Sequence, residues 1–298
     1  MSDQRLVLFG EVLFDHFPDS TRVLGGAPFN VAWHLQAFGQ APLFVSCVGM
    51  DEEGQAVREA MEDWGMATHA LQTDPELPTG RVQVRIVDGE PGYEILHPVA
   101  FDAISNPVIM EDFPRRIRLL YHGSLALREP ASRRSLEQIR ATGPECVFID
   151  VNLRPPWWQR RAVPGWLAGA NWVKLNHHEL ESLDPSGTDQ PDQDQQLLDR
   201  YELDGLLLTR GEEGATALTA NGARHAIKPG ADVKLVDTVG AGDAFTAVFI
   251  LGLACDWALD LTLSRAQTFA SAVCAFRGAT TRDVAFYRNF VNNWNLEQ

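Results

Sequence analysis

Short apolar runs alternate with longer amphipathic stretches along the chain. The runs are rich in Val, Ile, Leu and Phe, as buried strands are, and they lie at 6–9, 43–48, 119–121, 146–149, 172–175 and 206–208. The amphipathic stretches predict helices at 29–38, 52–64 and 132–141, with several more after residue 240. Strands and helices in alternation indicate an α/β fold, in which helices flank a central and mainly parallel sheet.

Three glycines stand just beyond the first three predicted helices. They are Gly39, Gly65 and Gly143. A helix commonly ends next to a residue in the left-handed conformation, which glycine adopts without steric cost. The apolar pattern and the glycines therefore predict the same helix ends.

The segment from 81 to 96 departs from this pattern. Residues 81–86 alternate polar and apolar side chains, a turn cluster follows at 88–92, and a second short run occupies 93–96. This arrangement predicts a β-hairpin with one apolar face. We expect the hairpin to lie over a site as a lid; the alternative is an antiparallel edge of the main sheet.

Composition narrows the class of protein. The 298 residues suit one large α/β domain or two smaller ones. A content of 45% apolar and 22% charged residues is a globular composition, which excludes disorder for the bulk of the chain. The net charge of −15 disfavours binding to nucleic acid or anionic membranes. Lysine occurs only at 174, 228 and 234, so arginine supplies nearly all of the positive charge.

The N-terminal residues lack a secretory pattern, and the apolar runs are far shorter than the ~18 residues that span a membrane. The four cysteines show no paired metal-ligand spacing, and we expect buried free thiols at Cys47, Cys146, Cys255 and Cys274. These features predict a soluble, cytoplasmic protein.

Polar residues follow three of the predicted strands where each strand ends. They are Asp150, Asn152 and Arg154 after one strand, Asn176 and Glu179 after the next, and Thr209, Gly211 and Gly214 after the last. Ligands of open α/β sheets bind beyond the carboxyl ends of the strands. These residues therefore predict a site for a polar, charged ligand.

The segment 237–245, Asp-Thr-Val-Gly-Ala-Gly-Asp-Ala-Phe, is the strongest single signal. Small residues ahead of a helix leave its first N–H groups free, and the helix dipole adds partial positive charge, so the segment predicts an anion site. Asp243 lies in the first helical turn, where a carboxylate usually caps the helix. Because Gly240 and Gly242 leave room for a ligand beside it, we interpret Asp243 as a general base.

A second glycine-rich segment, Gly25-Gly26-Ala27-Pro28-Phe29-Asn30, opens the first predicted helix. Pro28 suits a first helical turn, and the glycines allow close backbone approach. Asn30 projects from this turn and is placed to bind hydroxyl groups. Taken alone, Asn30 would be a cap, and so would Asp15 in the loop after the first strand.

In these segments the chain resembles the PfkB/ribokinase family of sugar kinases. The family's first signature matches from Gly25 to Gly49 with every spacing kept, and its second, Asp-Thr-x-Gly-Ala-Gly-Asp, matches Asp237 to Asp243. Val248 departs from the family, which usually has a small residue there. The resemblance covers essentially the whole chain. It implies a single ribokinase-like domain over 1–298, with a β lid from about 11–24 and 80–98.

The resemblance implies transfer of a phosphoryl group from ATP to a sugar. Asp243 would take the proton of the attacking hydroxyl. The catalytic segment would include Gly240, Ala241 and Gly242, and the amides of Ala241, Gly242 and Asp243 would hold the phosphoryl group. Glu179 would organise Mg²⁺ through water. The residues that would contact the nucleotide are Asn176, Thr209, Gly211, Gly214 and Gln267.

On the acceptor side, the resemblance implies sugar contacts from Asp15, Gly26 and Asn30, beneath a lid that excludes water. Asp237 and Gly278 resemble the family's loop for a monovalent cation, so K⁺ would activate the enzyme. The lid strands would also supply the interface of a homodimer.

Within the family, Asp150-x-Asn152-x-Arg154 followed by two tryptophans resembles fructokinases and ketodeoxygluconate kinases. Ribokinases have Lys-Gly where this chain has Ala27-Pro28. Asn152 and Arg154 are thus expected at the substrate, although Arg154 is equally interpreted as an ion-pair partner of Asp150. The expected acceptor is D-fructose, phosphorylated to fructose 6-phosphate. Residues 95–98 lack an arginine that many fructokinases carry, so ketodeoxygluconate, ribose, another ketohexose and a nucleoside stay open.

Other classes of function lack support. The sequence has no P-loop, no Gly-x-Gly-x-x-Gly after the first strand and no Gly-x-Ser-x-Gly. His177-His178-Glu179 resembles a zinc helix, but Ser182 stands where the second histidine ligand is needed. A catalytically silent sugar-binding protein on this fold would be free to lose Asp243, which this chain keeps.

Overall fold

The computed structural model describes residues 4–87, 90–183, 193–230 and 235–296. The strands are β1 (Gln4–Phe9), β2 (Leu13–His16), β3 (Arg22–Gly25), β4 (Leu43–Gly49), β5 (Leu71–Asp74), β6 (Gly80–Val87), β7 (Glu90–Ile95), β8 (Arg116–His122), β9 (Val147–Asp150), β10 (Trp172–Asn176), β11 (Gly205–Thr209), β12 (Ala215–Thr219) and β13 (Arg224–Ile227). The helices are α1 (Ala27–Ala37), α2 (Glu52–Asp63), α3 (Pro130–Arg140), α4 (Val163–Leu167), α5 (His177–Leu183), α6 (Gln193–Arg200), α7 (Ala241–Ala254), α8 (Leu259–Val273) and α9 (Val284–Trp294).

Nine strands form the main sheet, in the order β13-β12-β11-β10-β9-β8-β1-β4-β5. The strands from β5 to β11 in this order are parallel to their neighbours, and β12 and β13 are antiparallel. All six predicted strands are present in this sheet. The mainly parallel α/β architecture is thus confirmed.

Each face of the main sheet buries its own apolar core, because successive side chains on a strand point to opposite faces. On β8, Tyr121 packs in the core that contains Phe249 of α7. Its neighbour Leu120 packs in the other core, with Leu136 of α3. Helices therefore cover both faces, as the alternating pattern predicts.

The predicted glycine caps are confirmed at the ends of α1, α2 and α3. Gly39, Gly65 and Gly143 have φ values of 75°, 72° and 75°. All three lie in the left-handed region, which side chains with a Cβ rarely adopt.

The prediction of four buried thiols is half wrong. All four cysteines are free, but only Cys47 and Cys274 are buried; Cys146 is half-buried and Cys255 is exposed. Cys255 follows directly after the last turn of α7, where the chain reaches the surface. None of the described helices has the length and apolar character needed to cross a membrane.

The hairpin at 81–96 belongs to a separate sheet, ordered β3-β2-β6-β7, so the alternative of an edge on the main sheet is excluded. We call these four strands the small sheet. β7 begins at Glu90, inside the predicted turn, and residues 88–89 lie outside the described part of the chain. Asp15 lies in β2 and not in a loop, because this segment pairs with both β3 and β6.

The polar segment 184–196 is predicted to be a solvated loop. Residues 184–192 lie outside the described ranges. The prediction is wrong for the last four residues, since α6 begins at Gln193 and buries Leu197 and Leu198 a turn later.

Candidate active site

Functional side chains converge at the carboxyl edge of the main sheet. β1, β8, β9, β10 and β11 are parallel neighbours, so their last residues meet along one edge. α1 and α7 both pack on this part of the molecule, and each begins with one of the two glycine-rich segments. Residues far apart in the sequence thereby share one site.

Asp243 and Asn30 are in direct contact at this edge. The Asn30 Nδ2 donates a hydrogen bond to the Asp243 Oδ2 over 2.8 Å. Burial raises the pKa of the Asp243 carboxyl to about 6, although the hydrogen bond from Asn30 and the charge of Lys174 lower it. A carboxylate with this pKa is suited to accept a proton near neutral pH.

The beginning of α7 leaves backbone donors free beside Asp243. Gly240 has a φ of 78°, and it packs so tightly on Ala279 that a Cβ would not fit. The Ala241 N–H already donates to the Thr238 carbonyl over 3.2 Å. Within the described residues no backbone acceptor faces the N–H groups of Gly242 and Asp243, so these two are available to bind an anion.

Lys174 is a site residue that the sequence reasoning missed. Its Nζ lies 2.6 Å from the Asp150 Oδ2 in a buried ion pair, and 3.8 Å from where a Cβ on Gly242 would stand. The charge of Asp150 keeps the pKa of Lys174 raised against the effect of burial. Lys174 therefore places a fixed positive charge beside the beginning of α7. One signal was available, since a lysine inside a buried apolar strand is rare.

Glu11 is a second residue that the sequence reasoning missed. It follows the end of β1 and is 2% exposed, and its Oε2 has no hydrogen-bond partner in the described part of the chain. Burial raises the pKa of Glu11 to about 7, with a further increase from the charge of Asp243 and opposition from that of Arg154. Two carboxyl groups with a raised pKa thus occur in this site.

The structure resolves the two interpretations of Arg154. Asp150 pairs with Lys174, and within the described ranges the Arg154 side chain has no hydrogen bond or ion pair. Burial raises the pKa of Asp15 and of Asp243, and the charge of the exposed Arg154 opposes that increase at both carboxyl groups. Asn152, nearby, has an unusual φ of 40° and accepts a hydrogen bond from Ser124 at its carbonyl oxygen over 3.2 Å.

Asp15 and Gly26 lie close to the beginning of α1. Burial raises the pKa of Asp15, and the charges of Arg154 and His16 oppose that increase. Gly26 has a φ of 112°, and a Cβ there would come within 2.7 Å of the Glu11 carbonyl oxygen. Only glycine therefore allows α1 to begin this close to β1.

Asn176 and Glu179 form a reciprocal cap at the beginning of α5. The Asn176 N–H donates to the Glu179 Oε2 over 2.8 Å, and the Glu179 N–H donates to the Asn176 Oδ1 over 2.9 Å. The Leu153 N–H donates to the other Glu179 oxygen over 2.7 Å. The carboxylate is thus fixed between β9 and β10, and burial raises its pKa.

The predicted nucleotide residues lie on the far side of the site. Gly211 and Gly214 have φ values of 53° and 95°, and they shape the turn between Thr209, at the end of β11, and β12. Gln267 lies on α8, which packs against β12 and β13, and it donates to the Ser271 hydroxyl over 3.1 Å. These residues therefore lie at the side of the main sheet that contains β11, β12 and β13.

Asp237 and Gly278 are joined directly. The Gly278 N–H donates to the Asp237 Oδ2 over 2.9 Å, and the Val239 N–H donates to Oδ1 over 3.0 Å. Two loops on either side of Gly240 are thereby held together. Because both carboxylate oxygens accept from backbone amides, a cation in this loop would rely on carbonyl oxygens as well.

His177 and His178 contact a glutamate of their own helix. His177 and His178 both lie near Glu181 on the exposed side of α5, at 3.0 Å and 3.6 Å. Among the residues that the structure describes, no group of three His, Cys, Asp or Glu side chains is arranged to hold a metal ion.

Comparison with known proteins gives consistent matches. A model of the pfkB family of carbohydrate kinases matches residues 5–284. The fructokinase of Salmonella typhimurium is 31% identical over 297 residues, which cover 92% of this chain and 94% of that protein. The aminoimidazole riboside kinase of Salmonella typhimurium is 31% identical over 273 residues, which cover 86% of this chain and 83% of that protein.

Two solved structures resemble this chain over nearly its whole length. The aminoimidazole riboside kinase of Salmonella enterica, complexed with aminoimidazole riboside and an ATP analogue, has a TM-score of 0.81 at 26% identity and covers 97% of this chain and 100% of its own. The fructokinase of Vibrio cholerae, bound to fructose, ADP and calcium, has a TM-score of 0.81 at 25% identity. It covers 97% of this chain and 99% of its own. These likenesses confirm the ribokinase-like α/β fold.

Proposed function

Since the chain belongs to the pfkB family of carbohydrate kinases, and is a sugar kinase by that membership, we propose that it transfers the γ-phosphoryl group of ATP to a primary hydroxyl of D-fructose and yields fructose 6-phosphate. One observation carries the proposal. The hydrogen bond from Asn30 to Asp243 brings both glycine-rich segments to a single carboxylate, beside free amides of α7.

In this mechanism Asp243 is the general base. Its carboxylate accepts the proton of the acceptor's primary hydroxyl as the oxygen attacks the γ-phosphorus, and the bond to the β-phosphate oxygen breaks. Asn30 orients the carboxylate through its hydrogen bond. Asp15, Gly26 and Arg154 bind the acceptor on the other side of the reacting oxygen.

The charge that develops on the transferring group is met by fixed donors. The N–H groups of Gly242 and Asp243 point into the site from the beginning of α7, and Lys174 adds a positive charge that Asp150 holds in place. Preorganised donors of this kind lower the barrier without reorganising during the reaction. Phosphoryl transfer depends on such positioning more than on covalent chemistry.

The residues on the nucleotide flank suit a hydrated Mg²⁺ ion. Glu179 and Asn176 offer the oxygen atoms that Mg²⁺ prefers, and because Glu179 already accepts two N–H groups, contact through water fits it better than direct ligation. Mg²⁺ supplies charge neutralisation at the phosphates. The Asp237 and Gly278 loops would hold K⁺ beside Gly240.

We expect activity to be lost in EDTA and restored by Mg²⁺, because the nucleotide phosphates need a divalent counter-ion. We expect K⁺ to raise kcat above its value in a large inert cation, because the joined loops position Gly240. Initial rates in the two pairs of buffers measure these effects separately. Equal rates in both monovalent salts would remove the K⁺ site and leave the Mg²⁺ site standing.

Fructose is the acceptor that most relatives support. The relatives named above include fructokinases of Salmonella typhimurium and Vibrio cholerae, and a fructokinase of Solanum tuberosum is 28% identical over 94% of this chain. The riboside kinase favours a second candidate, because it matches this chain as well as the fructokinases do. An imidazole riboside is therefore the alternative acceptor.

A panel of acceptors tests the assignment. We expect fructose to give the highest kcat/KM when ADP release is measured with fructose, ketodeoxygluconate, ribose, tagatose, adenosine and aminoimidazole riboside. The physical reason is that the buried Glu11 and the half-buried Asp15 are left without a partner by an acceptor that lacks the matching hydroxyl groups. A higher value for another member would replace fructose and keep the kinase, whereas no turnover with any member would reject the kinase.

The proposal includes a role for the small sheet as a lid over the acceptor and as an interface in a homodimer. Its outer strands β3 and β7 have open edges, and Tyr93 on β7 is 63% exposed. Open strand edges and exposed aromatic side chains are commonly covered by a partner.

A further inference from the structure

One buried carboxylate joins the small sheet to the main body. Glu53, the second residue of α2, has 4% of its side chain exposed. Its Oε1 lies 2.7 Å from the His16 Nε2 and 3.4 Å from an Arg22 nitrogen. Its Oε2 lies 2.9 Å from an Arg81 nitrogen. The three partners belong to β2, β3 and β6, so a single side chain contacts three of the four strands.

These partners share one face of the small sheet. His16 stands directly opposite Arg22 on β3 and opposite Gln83 on β6, and Arg81 is two residues before Gln83. Because side chains alternate along a strand, Asp15 lies on the other face. Glu53 therefore anchors one face of the sheet, while the opposite face presents Asp15 to the acceptor site.

The strand pairing places Asp15 next to this anchor. Asp15 directly precedes His16 on β2 and lies opposite Val23 on β3, whereas Arg154 follows β9 of the main body. Their separation depends on where the small sheet sits. Thr79 fixes only the entry of β6, through hydrogen bonds to Asp51 of 2.6 Å and 2.8 Å.

We propose that Glu53 is a positioning residue for the acceptor: it holds the small sheet against α2 and thereby fixes Asp15 relative to the main body. This inference rests on the proposed kinase function. Replacing the carboxylate by an amide of equal size would leave Arg22 and Arg81 without this counter-charge, and the sheet would lose its charged contact with α2.

The experiment compares Glu53→Gln with Asp63→Asn. Asp63 is the last residue of the same helix, and its ion pair with Arg282, at 3.1 Å, does not reach the small sheet. In Glu53→Gln we expect the KM of the best acceptor to rise at least ~10-fold while the KM of ATP stays within about twofold, since displaced positioning groups act on the ligand they hold. Asp63→Asn should change neither constant.

A second readout does not depend on turnover. Amide hydrogen exchange in residues 13–25 and 80–85 should accelerate in Glu53→Gln, while exchange in β8 to β11 stays at the wild-type rate. The exchange measurement still tests whether Glu53 anchors the small sheet if the wild-type protein phosphorylates no sugar in the panel. That second outcome would reject the proposed function, but not the anchoring role of Glu53.

Three outcomes would overturn the inference. They are an unchanged acceptor KM in Glu53→Gln, a parallel rise of both KM values together with a general loss of stability, and unchanged exchange in the small sheet. If Glu53→Gln does not fold, the double variant Arg22→Gln/Arg81→Gln removes the contact from the partly exposed side. This double variant should raise the KM of the acceptor and leave the KM of ATP unchanged. An unchanged acceptor KM would also reject the anchoring role of Glu53.

Discussion

Replacing Asp243 by asparagine is expected to lower kcat by at least ~10²-fold, with little change in the affinity for the nucleotide. The amide has the size of the carboxylate but cannot accept the proton of the attacking hydroxyl. The free N–H groups at the beginning of α7 stay in place, so nucleotide binding is kept. Steady-state kinetics, together with a nucleotide-binding titration, separate the two quantities.

Asp260→Asn is the matched control for this variant. Asp260 also lies in the first turn of a helix, α8, but its side chain is exposed at the surface. Its replacement should leave kcat within about twofold of the wild-type value, as surface changes usually do. If Asp243→Asn also turned over at a near-normal rate, Asp243 would be only a helix cap.

The same carboxylate sets the pH dependence. Burial raises the pKa of Asp243 to about 6, and only the ionised form accepts a proton. The kcat/KM of the wild-type protein should therefore fall as the pH falls through about 6, and this decrease should be absent in Asp243→Asn. A wild-type profile that stays flat down to about pH 5 would contradict the assignment of the base.

The sequence alone predicted the parts of the site that depend on local conformation. Glycines and small residues at the beginnings of α1 and α7 are needed for close backbone approach, and that need is visible in the residue types. The polar ends of β9, β10 and β11 were also predictable, because parallel strands bring their carboxyl ends together.

The partner of Asp150 was not predictable, because it depends on strand register. β10 pairs with β9 so that Lys174 stands directly opposite Asp150, and this pairing takes Asp150 away from Arg154. Glu11 and Glu53 were not predicted as functional residues for a related reason. Each is an ordinary acidic residue in the sequence, and burial by distant segments gives it its environment.

Lys174→Met is expected to lower kcat/KM by at least ~10²-fold, the usual cost of removing one fixed charge beside a transferring group. The variant should also lose about 3–5 kcal/mol of unfolding free energy, because the buried Asp150 is left without a counter-charge. Activity and urea unfolding, measured on the same preparations, give both quantities.

The double variant Lys174→Met/Asp150→Asn separates the two effects. It removes both buried charges, so most of the stability should return, since replacing a whole buried pair is often close to neutral. Activity should not return, because the positive charge that Lys174 places beside Gly242 is still missing. Asp150→Asn alone should be less stable than the wild-type protein, because Lys174 is then buried without a counter-charge. Its loss of kcat/KM should be smaller than that of Lys174→Met. If the double variant instead recovered wild-type turnover, Lys174 would serve only as the counter-ion of Asp150, and the transferring group would be held by the amides of α7 without it.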